Sequence, residues 1–226
     1  MSFYFNNALA KVYRGGNIPK SVNFCRDIAG KSKSGDYSKV CFDGVFMQIF
    51  QPLEPEDFAL IKGKVPKKED MKTFCSIFSK DAVGSCWNES WPMSREEVMD
   101  SLGVVKFCNS FLKDSSDVDR CFTSMFYVVT AQTQFDLLKM KVYCSALPGG
   151  IDAHCFANVS SRLIETDYRN ISKSVDFCEG AKDQAKEQCL QELLTYSTYN
   201  FLPGSPEFFE LCNAMPENWK EQCLRK

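Results

Sequence analysis

The stretch YCSALPGGIDAHCF, residues 143–156, holds the pattern that decides the fold of this chain. Cys144 and Cys155 stand eleven positions apart, and a Leu-Pro-Gly-Gly run separates them. Pro and Gly end a helix, and Asp152 can cap the one that follows. The stretch therefore predicts two antiparallel helices, a first helix A and a second helix B, joined by a tight turn and a disulfide.

The pattern recurs along the chain with a period near 34 residues. From Cys86 onward the second cysteines of successive pairs are 34 or 35 residues apart, and an aromatic residue or Leu flanks each pair on both sides. One continuous helix would hold such cysteines about 16 Å apart, whereas a disulfide needs about 5.5–6 Å. We therefore predict six disulfides within hairpins: Cys25–Cys41, Cys75–Cys86, Cys108–Cys121, Cys144–Cys155, Cys178–Cys189 and Cys212–Cys223.

Zinc binding and reduced thiols are the alternatives for these cysteines. Structural zinc sites favour closely spaced Cys pairs or several histidines, but the chain has no C-x-x-C sequence and one histidine, His154. This histidine is next to Cys155, and a neighbouring imidazole can activate a thiolate. The period already assigns Cys155 to a disulfide, so we predict no catalytic residue, no metal and no cofactor.

The periodic hairpins predict an all-α fold, a right-handed αα-hairpin solenoid with about six repeats of about 34 residues. We expect a single domain over 1–226 with a partial helix at 3–14 and an insertion at 51–66 that forms a loop or short helix. In the third repeat, helix A is predicted over 95–112. The repeats are expected near 19–50, 67–91, 95–133, 134–166, 168–200 and 205–226.

Composition limits the compartment and the class of partner. The chain carries 27 basic and 29 acidic residues, a formal charge of −2, so no basic excess favours nucleic acid. Six disulfides indicate an oxidising location, either secreted, periplasmic or at the cell surface. The sequence has no signal peptide and no apolar run that could span a membrane, so we expect a mature fragment. Asn88, Asn158 and Asn170 begin N-x-S sequons, which are glycosylation candidates in a eukaryotic secreted protein.

Two irregularities in the period supply the candidate binding residues. Phe58 belongs to the insertion 51–66, and insertions in solenoids often lie on the binding face. Trp87 and Trp91 are four positions apart in a helix B that Pro92 cuts short. They form either an exposed aromatic platform for a peptide or sugar or part of the packing between repeats.

The period and the paired helices resemble the tetratricopeptide and Sel1-like families, and the disulfide in each hairpin is similar to the disulfide-rich secreted Sel1-like proteins of bacteria. The resemblance implies a scaffold that binds protein segments along a concave face lined by the A helices. We therefore expect a non-catalytic, extracytoplasmic scaffold for a protein or peptide partner. The alternatives are a structural segment of a larger secreted or envelope protein, and a small-ligand or glycan binder or enzyme that uses Trp87 and Trp91. The sequence leaves the oligomeric state open.

Overall fold

Helices form the regular structure of this computed structural model, which describes residues 17–29, 38–52 and 55–225; no strand lies among them. The all-α class is confirmed, and the helix predicted over 3–14 lies outside the described residues. Three short 3-10 helices, Lys68–Asp70, Trp91–Ser94 and Tyr168–Asn170, each lead directly into an α-helix. The α-helices are, in chain order, α1 (Ile18–Ala29), α2 (Ser38–Phe50), α3 (Pro55–Ile61), α4 (Met71–Ser76), α5 (Lys80–Glu89), α6 (Arg95–Val98), α7 (Ser101–Asn109), α8 (Ser115–Gln132), α9 (Leu137–Ser145), α10 (Ile151–Thr166), α11 (Ile171–Glu179), α12 (Asp183–Asn200), α13 (Pro206–Ala214) and α14 (Glu217–Leu224).

Disulfides join consecutive helices. The chain has six disulfides, and none of its cysteines is free. In five pairs the two Cα atoms are 5.3 to 5.6 Å apart, within the usual Cα–Cα range of a disulfide. These pairs are Cys25–Cys41, Cys75–Cys86, Cys144–Cys155, Cys178–Cys189 and Cys212–Cys223. Cys108 and Cys121 are also disulfide-bonded. The five pairs are those that the period groups together in the sequence.

The chain forms two compact units, of which the first consists of Met1–Glu96 and Phe107–Val118. Within this unit α2 packs against α1 and against α5. Helix α2 brings Phe42, Phe46 and Ile49 into the core, where all three are fully buried. Their spacing of four and three residues puts them on one face of the helix, which is the face that its neighbours cover.

The second unit consists of Glu97–Lys106 and Asp119–Lys226. Within this unit α10 packs against α9, α11 and α12. The contact between α10 and α11 includes Ser160 and Ser174, both fully buried, and the hydroxyl of each donates to the backbone carbonyl of the other at 2.9 Å. Small side chains let the two helices approach closely, and the exchanged hydrogen bonds satisfy hydroxyls that burial removes from water.

Matching positions around the cysteines are buried in successive hairpins. The residue four positions before each first cysteine is buried every time: Ser21, Met71, Val104, Met140, Ser174 and Phe208. The residue that follows the second cysteine is buried in five hairpins and exposed in the last one, where it is Leu224. The five buried residues are Phe42, Trp87, Phe122, Phe156 and Leu190. The residues four positions before the first cysteines, and five of the six that follow the second cysteines, therefore contribute to the core. The solenoid arrangement, the six repeats and the single domain over 1–226 stay predictions.

The insertion 51–66 contains a helix. Helix α3 begins at Pro55, a residue whose fixed φ suits the first turn of a helix. It is followed by a turn in which the amide of Lys64 donates to the carbonyl of Ile61 at 2.8 Å. The insertion was expected to form a loop or a short helix, and its described residues include a short helix.

One predicted helix is interrupted. The structure divides the helix A expected over 95–112 into α6, which ends at Val98, and α7, which begins at Ser101. Asp100 causes the restart, because its carboxylate accepts a hydrogen bond from the amide of Gly103 at 2.7 Å and so caps α7. The continuous helix was therefore a wrong prediction at this point.

Gly103 makes this break possible, because the backbone of Glu97 lies against it, and a substitution at Gly103 tests that close packing. A Cβ at this position would lie 2.2 Å from the backbone oxygen of Glu97, and backbone cannot rotate away as a side chain can. We expect Gly103→Ala to lower the free energy of unfolding by about 1–3 kcal/mol in urea titrations. Gly149→Ala is the control, since a Cβ there meets no atom within 4 Å. Equal stability of the two variants would contradict the packing at the break.

Candidate functional site

The aromatic residues singled out in the sequence do not form one surface. Trp87 is buried; its ring stacks on Phe107 with centroids 5.1 Å apart, and its Nε1–H donates to the Phe107 carbonyl at 3.0 Å. The interpretation of Trp87 as part of an exposed platform is therefore wrong, because its ring and its polar atom are both occupied inside the first unit. Trp91 is half-buried at the start of a 3-10 helix, and Phe58 is exposed on α3.

His154 belongs to α10, and its side chain packs against α8. Its Nε2 is 3.0 Å from the hydroxyl of Thr123, and its ring meets Phe126 edge-on with centroids 5.5 Å apart. Burial holds the pKa of His154 below its usual value, and the carboxylate of Asp119 opposes part of that shift. Cys155 is bonded to Cys144, so the imidazole has no thiolate beside it to activate.

The cysteines leave no thiolate for metal binding, because all of them are in disulfides. Among the described residues, no group of three or more His, Cys, Asp or Glu side chains is placed so that it could hold a metal ion. No helix in the described ranges is long and apolar enough to cross a membrane.

The three sequons differ in accessibility. Asn88 is only 2% exposed, and neither atom of its amide has a hydrogen-bond partner. Asn158 and Asn170 are half-buried, and the amide nitrogen of Asn170 donates to the carbonyl of Leu163 at 3.2 Å. A glycan linked through the Asn88 amide would have no space in the folded first unit.

The outer face of α9, in the second unit, carries two exposed apolar side chains. Leu138 and Val142, four residues apart on this face, are 79% and 73% exposed, while Met140 and Tyr143 between and beside them are buried. A surface helix normally has polar residues on its outer side. Helix α9 therefore presents apolar side chains both to the core and to solvent.

The start of α9 is fixed by local hydrogen bonds. Gln134 and Phe135 have positive φ angles of 56° and 58°, which turn the chain sharply after α8. The carboxylate of Asp136 then accepts from the amides of Leu138 and Lys139 at 3.1 and 3.2 Å, which caps the helix. These contacts set the rotation of α9 and so determine which of its residues face outward.

Helix α9 is also tied to the break between α6 and α7. The hydroxyl of Tyr143 donates to the carbonyl of Val98 at 2.8 Å, and the hydroxyl of Ser101 donates to the carbonyl of Tyr143 at 3.0 Å. Burial, with a smaller contribution from the charge of Asp100, raises the pKa of Tyr143, which therefore stays protonated and keeps its donor.

A groove lies on each side of Leu138. The first groove, of about 550 Å³, is mostly apolar and lies between α9 and the α6–α7 break; its lining residues are Met99, Asp100, Ser101, Val129, Thr133, Leu138, Lys139, Val142 and Tyr143. The second groove, of about 220 Å³, lies between α9 and α11; its lining residues are Leu137, Leu138, Lys141, Lys173, Asp176, Phe177 and Gly180. We call Leu138, Val142 and these two grooves the α9 surface.

The polar groups of the first groove serve the fold. The Asp100 carboxylate caps α7, Lys139 pairs with Asp136 at 3.1 Å, and the Tyr143 hydroxyl donates to backbone. A catalytic site needs ionisable groups that converge on a reacting atom. The first groove instead offers apolar area of the kind that accommodates side chains of a partner.

Little in the sequence indicates this surface, because a nearly continuous apolar run spans it: Leu137, Leu138, Met140, Val142 and Tyr143. The run lacks the clear period that would tell an outer face from an inner one.

Comparison with protein-family models, with curated proteins and with solved structures gave no match to this chain.

Proposed function

We propose that this protein is a non-catalytic, extracytoplasmic scaffold that binds an extended segment of another protein on the α9 surface. The exposure of Leu138 and Val142 is the observation that carries the proposal. Exposed apolar patches beside grooves mark interaction sites in soluble proteins. Burial of two such side chains by a partner would contribute about 1.5–3 kcal/mol each.

The position of this surface supports a scaffold with repeats. Helix α9 is the A helix of the hairpin expected near 134–166, and α11 is the A helix of the next one. The second groove runs between these two A helices. Tetratricopeptide-like solenoids bind protein segments along faces lined by their A helices, so the resemblance and the apolar exposure favour the same kind of partner. The six disulfides support an oxidising compartment for it.

Selection from a random peptide library tests the function. The library would display segments of about ten residues, which reach roughly 33 Å when extended, and would be selected on the wild-type protein. We expect the selected peptides to bind the variant Leu138→Ser/Val142→Ser about tenfold or more weakly, because each lost apolar contact contributes more than 1 kcal/mol. Fluorescence polarisation with labelled peptides measures both affinities.

The control is Leu202→Ser, because Leu202 is 80% exposed and lines neither groove of the α9 surface. It should leave peptide binding unchanged. A library without binders, or binders that retain full affinity for the double variant, would contradict the proposal. Analytical ultracentrifugation of the wild type and the double variant checks a different occupant. A dimeric wild type beside a monomeric double variant would mean that a second copy of this chain covers the α9 surface.

A further inference from the structure

We infer that the segment bound on the α9 surface is acidic, with an Asp or Glu side chain that pairs with Lys141 and Lys173 next to an apolar side chain seated against Leu138. This inference rests on the proposed function and names the chemistry of the partner. The second groove carries it, because apolar walls and ammonium groups lie together there.

The two lysines of the second groove are exposed and only lightly engaged by the protein. Lys141 has no ion pair or hydrogen bond to any residue in the described ranges, and its ammonium lies over Gly180, 2.9 Å from the place where a Cβ would be. Lys173 donates to the amide oxygen of Asn170 at 3.3 Å, a long and neutral contact. Both ammonium groups therefore keep donors for a carboxylate.

Gly180 has a specific part in this arrangement. Its φ of −74° is ordinary for any residue, so the backbone does not require glycine here. The absent side chain instead leaves the space above α11 in which the Lys141 ammonium lies. Gly180 thereby leaves room for the Lys141 ammonium at the groove, where a ligand side chain would enter.

The balance of charge distinguishes the two grooves. In the first groove, Lys139 is neutralised by Asp136, and the Asp100 carboxylate is engaged by the amide of Gly103. In the second groove, two lysines accompany a single acidic residue, Asp176. The excess positive charge is complementary to a carboxylate, and the neighbouring Leu137, Leu138 and Phe177 are complementary to an aliphatic or aromatic side chain.

Three matched peptides test the inference. Each is acetylated, amidated and about ten residues long, and all three share the same Leu and Phe residues. The positions between these residues are all Glu in the first peptide, all Gln in the second and all Lys in the third. Amidation removes the terminal carboxylate, so only side chains can supply the negative charge. We expect the Glu peptide to bind about fivefold more tightly than the Gln peptide at low ionic strength, and the Lys peptide to bind least. At about 0.5 M salt the Glu and Gln peptides should converge, because screening weakens exposed ion pairs.

Variants assign the effect to the groove. Lys141→Glu and Lys173→Glu should each weaken the Glu peptide about twofold to fivefold and leave the Gln peptide unchanged. Gly180→Ala should act in the same direction, because its Cβ would displace the Lys141 ammonium. Lys113→Glu changes the net charge equally but lines neither groove, so it should have no effect.

The outcomes separate this inference from the proposed function. Equal binding of the Glu and Gln peptides, with loss of both in Leu138→Ser/Val142→Ser, would overturn the acidic preference and support the peptide-binding surface. A Glu preference that persists in Lys141→Glu and Lys173→Glu would overturn the assignment to the second groove. Failure of all three peptides would overturn the inference, while the library selection decides the proposed function independently.

Discussion

Complete reduction of the six disulfides is expected to unfold this protein. Five of the bridges close short loops, with cysteines 11 or 16 positions apart. Such a loop contributes about 2–3 kcal/mol by restricting the unfolded chain. Six such loops would contribute about 12–18 kcal/mol in all, which matches or exceeds the stability of a typical domain, about 5–15 kcal/mol. We expect the reduced and alkylated chain to lose its helical circular dichroism and its cooperative thermal transition, both of which the oxidised chain should show.

Burial of the bridges adds a kinetic component to this expectation. Cys41 is 3% exposed, and the other cysteines are fully inaccessible. A thiolate must reach a disulfide sulfur to reduce it, so dithiothreitol alone should act slowly on the native protein. Addition of about 2 M urea, which raises the population of opened states, should accelerate the loss of helical signal. A reduced chain that keeps a cooperative transition would contradict the contribution assigned to the bridges.

Replacement of Phe126 by Ala is expected to cost about 3–5 kcal/mol of unfolding free energy. Phe126 is fully buried in α8, with the rings of Phe122 and His154 at centroid distances of 5.8 and 5.5 Å. The change removes the buried ring and leaves a cavity between residues that are held by their own helices, so collapse cannot fill it. Urea titration of the oxidised protein measures the loss.

The adjacent residue provides the matched control for Phe126→Ala. Tyr127 is 47% exposed, and its ring lies 4.7 Å from the guanidinium carbon of Arg162. Tyr127→Ala removes a similar ring from the same helix but loses mainly this exposed contact, about 0.5–1 kcal/mol. Comparable losses for the two variants would contradict the division between buried and exposed faces of α8.

The hairpins could be predicted from the sequence because the spacing of two cysteines, which is a local pattern, indicates which two helices are in contact. Two cysteines eleven positions apart cannot be bridged along one helix, so their spacing and the turn residues between them define both the helix pair and its contact. The aromatic flanks indicated core positions for the same reason. Interruption of the helix expected over 95–112 was harder to predict, although Asp100 followed by Gly103 is a capping signal.

The candidate site could not be predicted in the same way. Trp87 and Trp91 share a helical face whether that face meets water or another helix, and only the packing of Phe107 against Trp87 decides between them. Leu138 and Val142 are exposed because the cap at Asp136 and the anchor at Tyr143 set the rotation of α9. Rotation of a helix is a tertiary property, and a run of apolar residues does not specify it.

The spacing of the bridges also bears on how the chain reaches its native pairing. In five of the pairs, Cys25–Cys41, Cys75–Cys86, Cys144–Cys155, Cys178–Cys189 and Cys212–Cys223, the partner of the first cysteine is the next cysteine along the chain. Closure of the shortest loop costs the least entropy, so the native partner is also the one that diffusion brings first. Contacts of this kind give a low contact order and rapid folding. Each hairpin can therefore oxidise correctly as soon as it has been synthesised, before the following cysteines are present to compete.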